Sequence, residues 1–385
     1  MTGPLAGLHI LDLSTYVAGP SATMTLAQLG ADVVRVDPIG GAPDHRRSPL
    51  APSGASLYWT GLNKGKRSIE IDLRAPAGRE LVYALLNVHG ILVTNAPATG
   101  WLGPDALRAR RADLIAVRIS GHPDGRPAVD YTVNAEVGLP WITGPPGGPV
   151  NHVLPAWDLL TGLHAALAVV AAERARRRTG AGSLIDISLS DVAAATMGHL
   201  GFVADVVLNG AARERDGNYL YGGYGTDFGT ADGRRVMIVA LTERHWHSLV
   251  DLTGTGKVIA ALEENLGERF AGEQARYRHR HLITALLAPW FARHTLADLT
   301  PRLDASQVLW SEYRTIAEFT ATLGPLFTEI DQPGAGRYPV PGPVAGGQEP
   351  RPAPLLGQDT AAVLTGWLGL DAPAIADLAT RRVVR

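Results

Sequence analysis

The chain has 385 residues, 46% hydrophobic and 19% charged, enough for one large domain with a satellite or for two domains. Its 35 Lys and Arg against 37 Asp and Glu leave a formal net charge of −2, without the basic excess that non-specific nucleic-acid binding relies on. No cysteine is present, which removes disulfides, thiolate nucleophiles and zinc-thiolate sites together.

The opening MTGPLAGLHILDLS has no basic region ahead of an uninterrupted apolar stretch, so no signal peptide is expected and the cytoplasm is the default location. The apolar run 9–13 leads through Gly19-Pro20 into a helical pattern over 21–29 and a second apolar run at 33–36, a βαβ unit. The alternation continues: strand 68–73, helix 77–87, strand 91–94, helix 105–111, strand 114–120. A parallel sheet with helices on both faces is the arrangement this implies.

Residues 158–178 carry apolar positions at helical spacing, begin on Asp158, a favoured N-cap, and end in arginines that suit the negative end of the dipole. A strand at 184–189 and a long helix at 191–208 follow. The most apolar runs, 165–172 and 192–204, fall short of the ~20 residues that span a bilayer, so no membrane partner is expected. The Gly- and Tyr-rich GNYLYGGYGTDFGTADG then marks a domain boundary. The strand VMIVAL and the helices after it form a small α/β domain at 215–300, and residues 1–214 and 301–385 form a large α/β domain. Residues 332–354, dense in Pro and Gly, read as a surface connection before helices at 360–368 and 374–380.

No G-x-G-x-x-G follows the first strand, and the chain has neither a G-x-x-x-x-G-K-[ST] phosphate loop nor a G-x-S-x-G elbow. The pairs His245/His247 and His279/His281 stand at i and i+2, which do not share a helix face, and no third ligand is signalled, so no metal is expected. Asp158 at a helix start is held ionised by backbone N–H groups and the dipole, which suits a carboxylate nucleophile, although a plain cap is the commoner role of an Asp at this position.

LDLSTYVAGP, LAQLGADVVRVDPIGG, LNKGKRSIEIDLRAPAGRE, DLIAVRISG and RRRTGAGSLIDISLSD, in that order along almost the whole chain, resemble the family III CoA-transferases. The resemblance implies a Rossmann-like large domain, an interlocked homodimer and an acyl-CoA substrate, with CoA as part of the substrate and no separate cofactor. It makes Asp158 the nucleophile, because the family's Asp opens the helix that precedes RTGxG. It assigns CoA binding to Val17 and Ala18 after the first strand, to Asn63, Lys66 and Arg67, and to Asn95. On chemistry alone, Lys66 and Arg67 equally fit a CoA phosphate or a solvated turn.

DYTVNAEVGLP, NHVLPAWDLLTG, GNYLYGGYGTDF and VMIVALTERHW further resemble members that move CoA between the two carboxyls of one molecule, mesaconate, through an aspartyl anhydride and an aspartyl-CoA thioester. Ordinary transfer between two different acids, and an acyl-CoA-binding protein without catalysis, are the alternatives. The family's racemases carry a histidine where Val129 stands, and valine cannot abstract a proton. Asp130 and Tyr131 fall in the substrate's vicinity, although Asp130 equally suits a turn. Gly222, Gly223 and Gly225 suit a flap over the acyl group or a turn. Arg46, Arg47 and Arg118 are the candidates for holding a free carboxylate.

Overall fold

The computed structural model describes residues 3–210 and 213–385. In chain order it begins β1 (His9–Leu13), α1 (Ala18–Gln28), β2 (Asp32–Asp37), α2 (Leu57–Leu62), β3 (Arg67–Glu70), α3 (Pro76–His89), β4 (Ile91–Thr94), α4 (Pro104–Arg110) and β5 (Ile115–Ser120). Next come α5 (Asp130–Glu136), α6 (Leu139–Ile142), α7 (Ala156–Thr179), β6 (Ser183–Ser188), α8 (Leu189–His199) and α9 (Phe202–Asn209). After the change in composition stand β7 (Tyr224–Gly229), β8 (Arg235–Ala240), α10 (Glu243–Thr253), α11 (Gly256–Leu266), α12 (Glu273–Arg278), α13 (Arg280–Ala292), α14 (Leu296–Asp304) and β9 (Leu309–Glu312). The chain ends with α15 (Ile316–Thr320), β10 (Phe327–Gln332), β11 (Gly336–Pro341), α16 (Thr360–Leu368) and α17 (Ala372–Thr380).

The first six strands form one parallel sheet in the order β3-β2-β1-β4-β5-β6. This is the doubly wound Rossmann order, in which the chain reverses its direction of winding between β1 and β4 and leaves a crevice there at the carboxyl ends of the strands. Strands buried on both faces need continuous apolar runs, and ILVT of β4 is buried throughout. Leu11, Val34, Ile69 and Leu92 from the sheet pack with Val82, Leu85 and Leu86 of α3 and with Val363 and Leu364 of α16. Removing such a side chain from water contributes about 1.5–3 kcal/mol.

The chain divides into two compact units. The first holds residues up to Val137, then His152–Asn209 and Gly324–Arg385. The second holds Gly138–Asn151 and Gly210–Leu323, whereas the sequence reading placed the small domain at 215–300. In the second unit β7, β8 and β9 form an antiparallel sheet. Trp246, Phe270, Ile283, Leu287 and Phe291 close its core.

Three elements depart from expectation for identifiable reasons. The single helix expected at 191–208 is two, α8 and α9, because Gly201 adopts φ +80° between them and the axis bends by 59°. The Pro/Gly-rich connection contains β11 and part of β10, which pair as an antiparallel hairpin. By length and composition α7, at 24 residues with a window of mean hydropathy 1.2, would reach across a bilayer, which the separate short apolar runs did not suggest. Here α7 is a helix of the first unit, with Ala165 and Val169 completely buried and Asp158 in its first turn.

Candidate active site

Gly162 lets α7 approach α1, and Gly19 lets α1 approach the end of β1. A Cβ on Gly162 would stand 2.2 Å from Ser21 Oγ and 2.7 Å from the Ala18 carbonyl, so α7 lies against the start of α1 only because residue 162 has no side chain. A Cβ on Gly19 would meet Ser14 at 2.2 Å, which draws α1 onto the end of β1. The two helix starts converge at the crevice between β1 and β4.

There a cleft of about 580 Å³ opens. Val17, Ala18, Arg47, Asn95, Asp130, Tyr131 and Asp158 line it, so seven candidate site residues from the sequence come together, and Tyr16 and Tyr58 line it too. Asn95, just after β4, ties the two loops together: its Oδ1 accepts the Thr15 N–H at 3.1 Å and its Nδ2 donates to the Thr15 carbonyl at 3.1 Å.

Asp158 is not the cap of its helix. α7 begins two residues earlier, after Pro155, and no side chain at that position caps it. The cap comes from α5 instead: Asp130 Oδ2 accepts the N–H groups of Trp157 at 2.6 Å and Asp158 at 3.1 Å. Asp130 is buried, and its second oxygen, Oδ1, has no partner among the described residues. The backbone donors expected to steady Asp158 are thus occupied by another carboxylate. Burial pushes the Asp158 carboxyl up to about 6, the negative charge of Asp130 pushes the same way, and Arg47 opposes both. Among the described residues no hydrogen bond reaches the Asp158 carboxylate oxygens. At neutral pH it is ionised, unusually basic and uncommitted, the state a carboxylate nucleophile requires.

A buried polar network underlies the loop. Asp12 of β1 accepts from the Ser14 N–H at 2.9 Å, from Thr23 Oγ1 at 2.6 Å and from Lys66 Nζ at 2.9 Å. Lys66 also donates to the Pro20 carbonyl at 2.9 Å and to Asn63 Oδ1 at 2.7 Å. Burial pulls Lys66 down to about 8, and Asp12 resists, so it stays charged at neutral pH. Burial also works against the Asp12 anion, but Lys66 and Arg35 outweigh it and hold Asp12 below the ordinary carboxylate range. Arg35 of β2 bonds Asp37 and Asp44, and Asp44 Oδ2 accepts the Tyr16 N–H at 3.0 Å. That bond secures Tyr16 at φ +70°, a region bulky residues rarely occupy and one associated with functional loops.

Asn63 and Lys66 therefore sit beneath the loop and do not line the cleft. Arg67 also lies elsewhere: its Nε bonds Asp32 at 2.9 Å and its guanidinium covers the Trp367 ring at 5.3 Å. Gly222, Gly223 and Gly225 belong to the second unit, where the Leu220 N–H bonds the Gly225 carbonyl at 2.8 Å in the turn that enters β7. Of the three candidate arginines, Arg118 pairs with Asp186 at 2.7 Å and Arg46 reaches the Gly40 carbonyl at 3.4 Å, leaving Arg47 in the cleft. Tyr16, in a loop, and Tyr58, in the short helix α2, were not anticipated, since a lone tyrosine carries no signal until its backbone angle or its neighbours are known.

Residues 5–360 match the model of CoA-transferase family III. The chain belongs to that family. It is 48% identical to 2-methylfumaryl-CoA isomerase of Chloroflexus aurantiacus, over 100% of this chain and 98% of that one. It is 30% identical to succinyl-CoA–D-citramalate CoA-transferase of the same organism, over 99% and 98% of the two chains. Among solved structures, a CAIB/BAIF family protein from Brucella suis superposes with a TM-score of 0.79 at 26% identity, covering 95% of this chain and 100% of that one.

Proposed function

We propose that this family III CoA-transferase isomerises 2-methylfumaryl-CoA to 3-methylfumaryl-CoA by intramolecular CoA transfer, with Asp158 as nucleophile. The observation that carries the reading is the uncommitted carboxylate of Asp158, raised to about 6, in the crevice at the sheet's switch point, in a chain 48% identical to an isomerase of that name.

An Asp158 oxygen attacks the thioester carbonyl, the C–S bond breaks, and CoA thiolate leaves an aspartyl–acyl anhydride. The thiolate then attacks the Asp158 carbonyl carbon, which frees the diacid as its dianion and forms an aspartyl-CoA thioester. The diacid turns, its other carboxylate attacks that thioester, and thiolate departs again. Thiolate attack on the acyl carbonyl of this second anhydride gives the isomeric thioester and restores the Asp158 carboxylate, with no net proton taken up or lost. Both intermediates are open to hydrolysis, so the mechanism depends on excluding water.

Val17, Ala18 and Asn95 hold CoA against the loops after β1 and β4. Lys66 and Asn63, buried beneath that loop, act on CoA through the loop's shape. Asp130 and Tyr131 bound the acyl site. CoA enters only as part of the substrate. The enzyme works in the cytoplasm as a homodimer, whose second copy covers the exposed apolar residues Leu200, Val203, Val207 and Leu208.

The test is incubation of 2-methylfumaryl-CoA with the wild type and with Asp158→Ala, following the thioester isomers by chromatography. Conversion by the wild type alone is expected; conversion by the variant would sink the nucleophile. The 30% identical citramalate transferase favours a second reading, transfer between different acids. Labelled citramalate added to the mixture stays free on the first reading and becomes a CoA ester on the second.

A further inference from the structure

We propose that Arg47, together with the hydroxyl of Tyr58, forms the subsite that binds the free carboxylate of the substrate's acyl group. This rests on the CoA-transfer reading above, because it concerns the end of the diacid that is not being transferred.

Three features of the cleft meet at this point. The Arg47 guanidinium lies over the Tyr58 ring at 4.8 Å and over the Tyr16 ring at 5.7 Å, so its plane is fixed while its edge stays available. Among the described residues no carboxylate pairs with it, whereas Arg118 has Asp186 and Arg35 has Asp37 and Asp44. Among the described residues the buried Tyr58 hydroxyl has no hydrogen-bond partner, a costly arrangement unless a ligand completes it. A fixed guanidinium and an unpartnered phenol in one wall, facing a cleft that holds the nucleophile, match the two oxygens of a carboxylate.

The arrangement also fits the turn the reaction requires. When the diacid leaves Asp158 and reverses, the carboxylate just released from the thioester occupies the place the other one vacated. One arginine thus serves both isomers and keeps the dianion from diffusing away between the two transfers. The same positive charge favours ionised Asp158 when the acyl site is empty.

The experiment compares two esters of one shape, 2-methylfumaryl-CoA and tiglyl-CoA, in which a methyl replaces the free carboxylate. The readout is incorporation of isotopically labelled CoA into each ester, which needs Asp158 attack, release of the expelled CoA thiolate and attack by a labelled one. Wild type should prefer the diacid ester in kcat/KM by ~100-fold or more, as a site built around hydrogen bonds to its ligand does. Arg47→Met should reduce that preference at least ~30-fold, Tyr58→Phe about 10-fold, and Arg47→Lys should restore part of it. A preference unchanged in Arg47→Met overturns the proposal. So does equal loss on both esters, which would assign Arg47 to Asp158 or to the fold. Failure of the wild type to convert 2-methylfumaryl-CoA into its isomer would instead defeat the CoA-transfer reading itself.

Discussion

Asp158→Asn should make the protein more stable while abolishing turnover. Asp158 titrates near 6 in the folded chain against an ordinary 3.8. Between those values the native state holds its proton while the unfolded chain has lost it, so stability falls as pH rises through the window. At about 1.4 kcal/mol per pKa unit the gap sets a ceiling of about 3 kcal/mol at pH 7.5. Asp158 is partly exposed, and solvent screening brings the expected gain to roughly 1–2 kcal/mol. Asparagine keeps the shape, and among the described residues no hydrogen bond to the carboxylate is lost. Thermal melts without ligand, at about 2–4 °C per kcal/mol for a unit of this size, should show the variant several degrees higher at pH 7.5. At pH 4.5 the native carboxyl is protonated, and linkage leaves about a third of the difference. A gain of equal size at both pH values, or a loss at pH 7.5, would refute the electrostatic account.

The same electrostatics governs rate. The acid limb of kcat/KM should fall near pH 6 in the wild type and move lower in Asp130→Asn, which keeps an oxygen for the α7 cap but removes the charge that raises Asp158; an unmoved limb would contradict this. Lys66→Met should leave Asp12 buried without its cation and cost about 3–5 kcal/mol in urea unfolding. Intact stability with a raised KM for the CoA ester would instead place Lys66 on CoA directly. Gly162→Ala should cost about 1–3 kcal/mol and lower kcat, because the new methyl forces α7 away from Ser21 and Ala18 and carries Asp158 with it; unchanged kinetics would show that the α1–α7 approach is not needed for the site.

The parallel sheet was legible because its signal is local. ILVT and the runs around it are apolar for their whole length, and β4 falls on the residues its composition indicates. What escaped was set by neighbours distant in sequence. α5 has no apolar period long enough to declare it, yet it supplies the carboxylate that caps α7 across 27 residues. Lys66 and Arg67 look alike in sequence, but Lys66 is fully buried against Asp12 while Arg67 lies across Trp367. β2 provides the difference: Asp32, at its start, offers Arg67 a partner at the surface, while Arg35, at its centre, belongs to the interior network that Lys66 enters through Asn63.

Asp130 joins two demands that pull in opposite directions. A helix start buried at the end of a sheet leaves N–H groups that must be satisfied, and a carboxylate does this better than a neutral oxygen. Were Asp158 itself to take those hydrogen bonds, it would be stabilised as an anion, less basic and tied down, a poor nucleophile. Capping from α5 satisfies the helix and sets a second negative charge beside Asp158, so the bond geometry that completes the fold is also what keeps Asp158 reactive. Replacing Asp130 by Ala should therefore harm both properties, destabilising α7 by about 1 kcal/mol or more and lowering the basicity of Asp158. Replacing it by Asn should separate them, and the contrast between the two variants isolates the electrostatic part of the design.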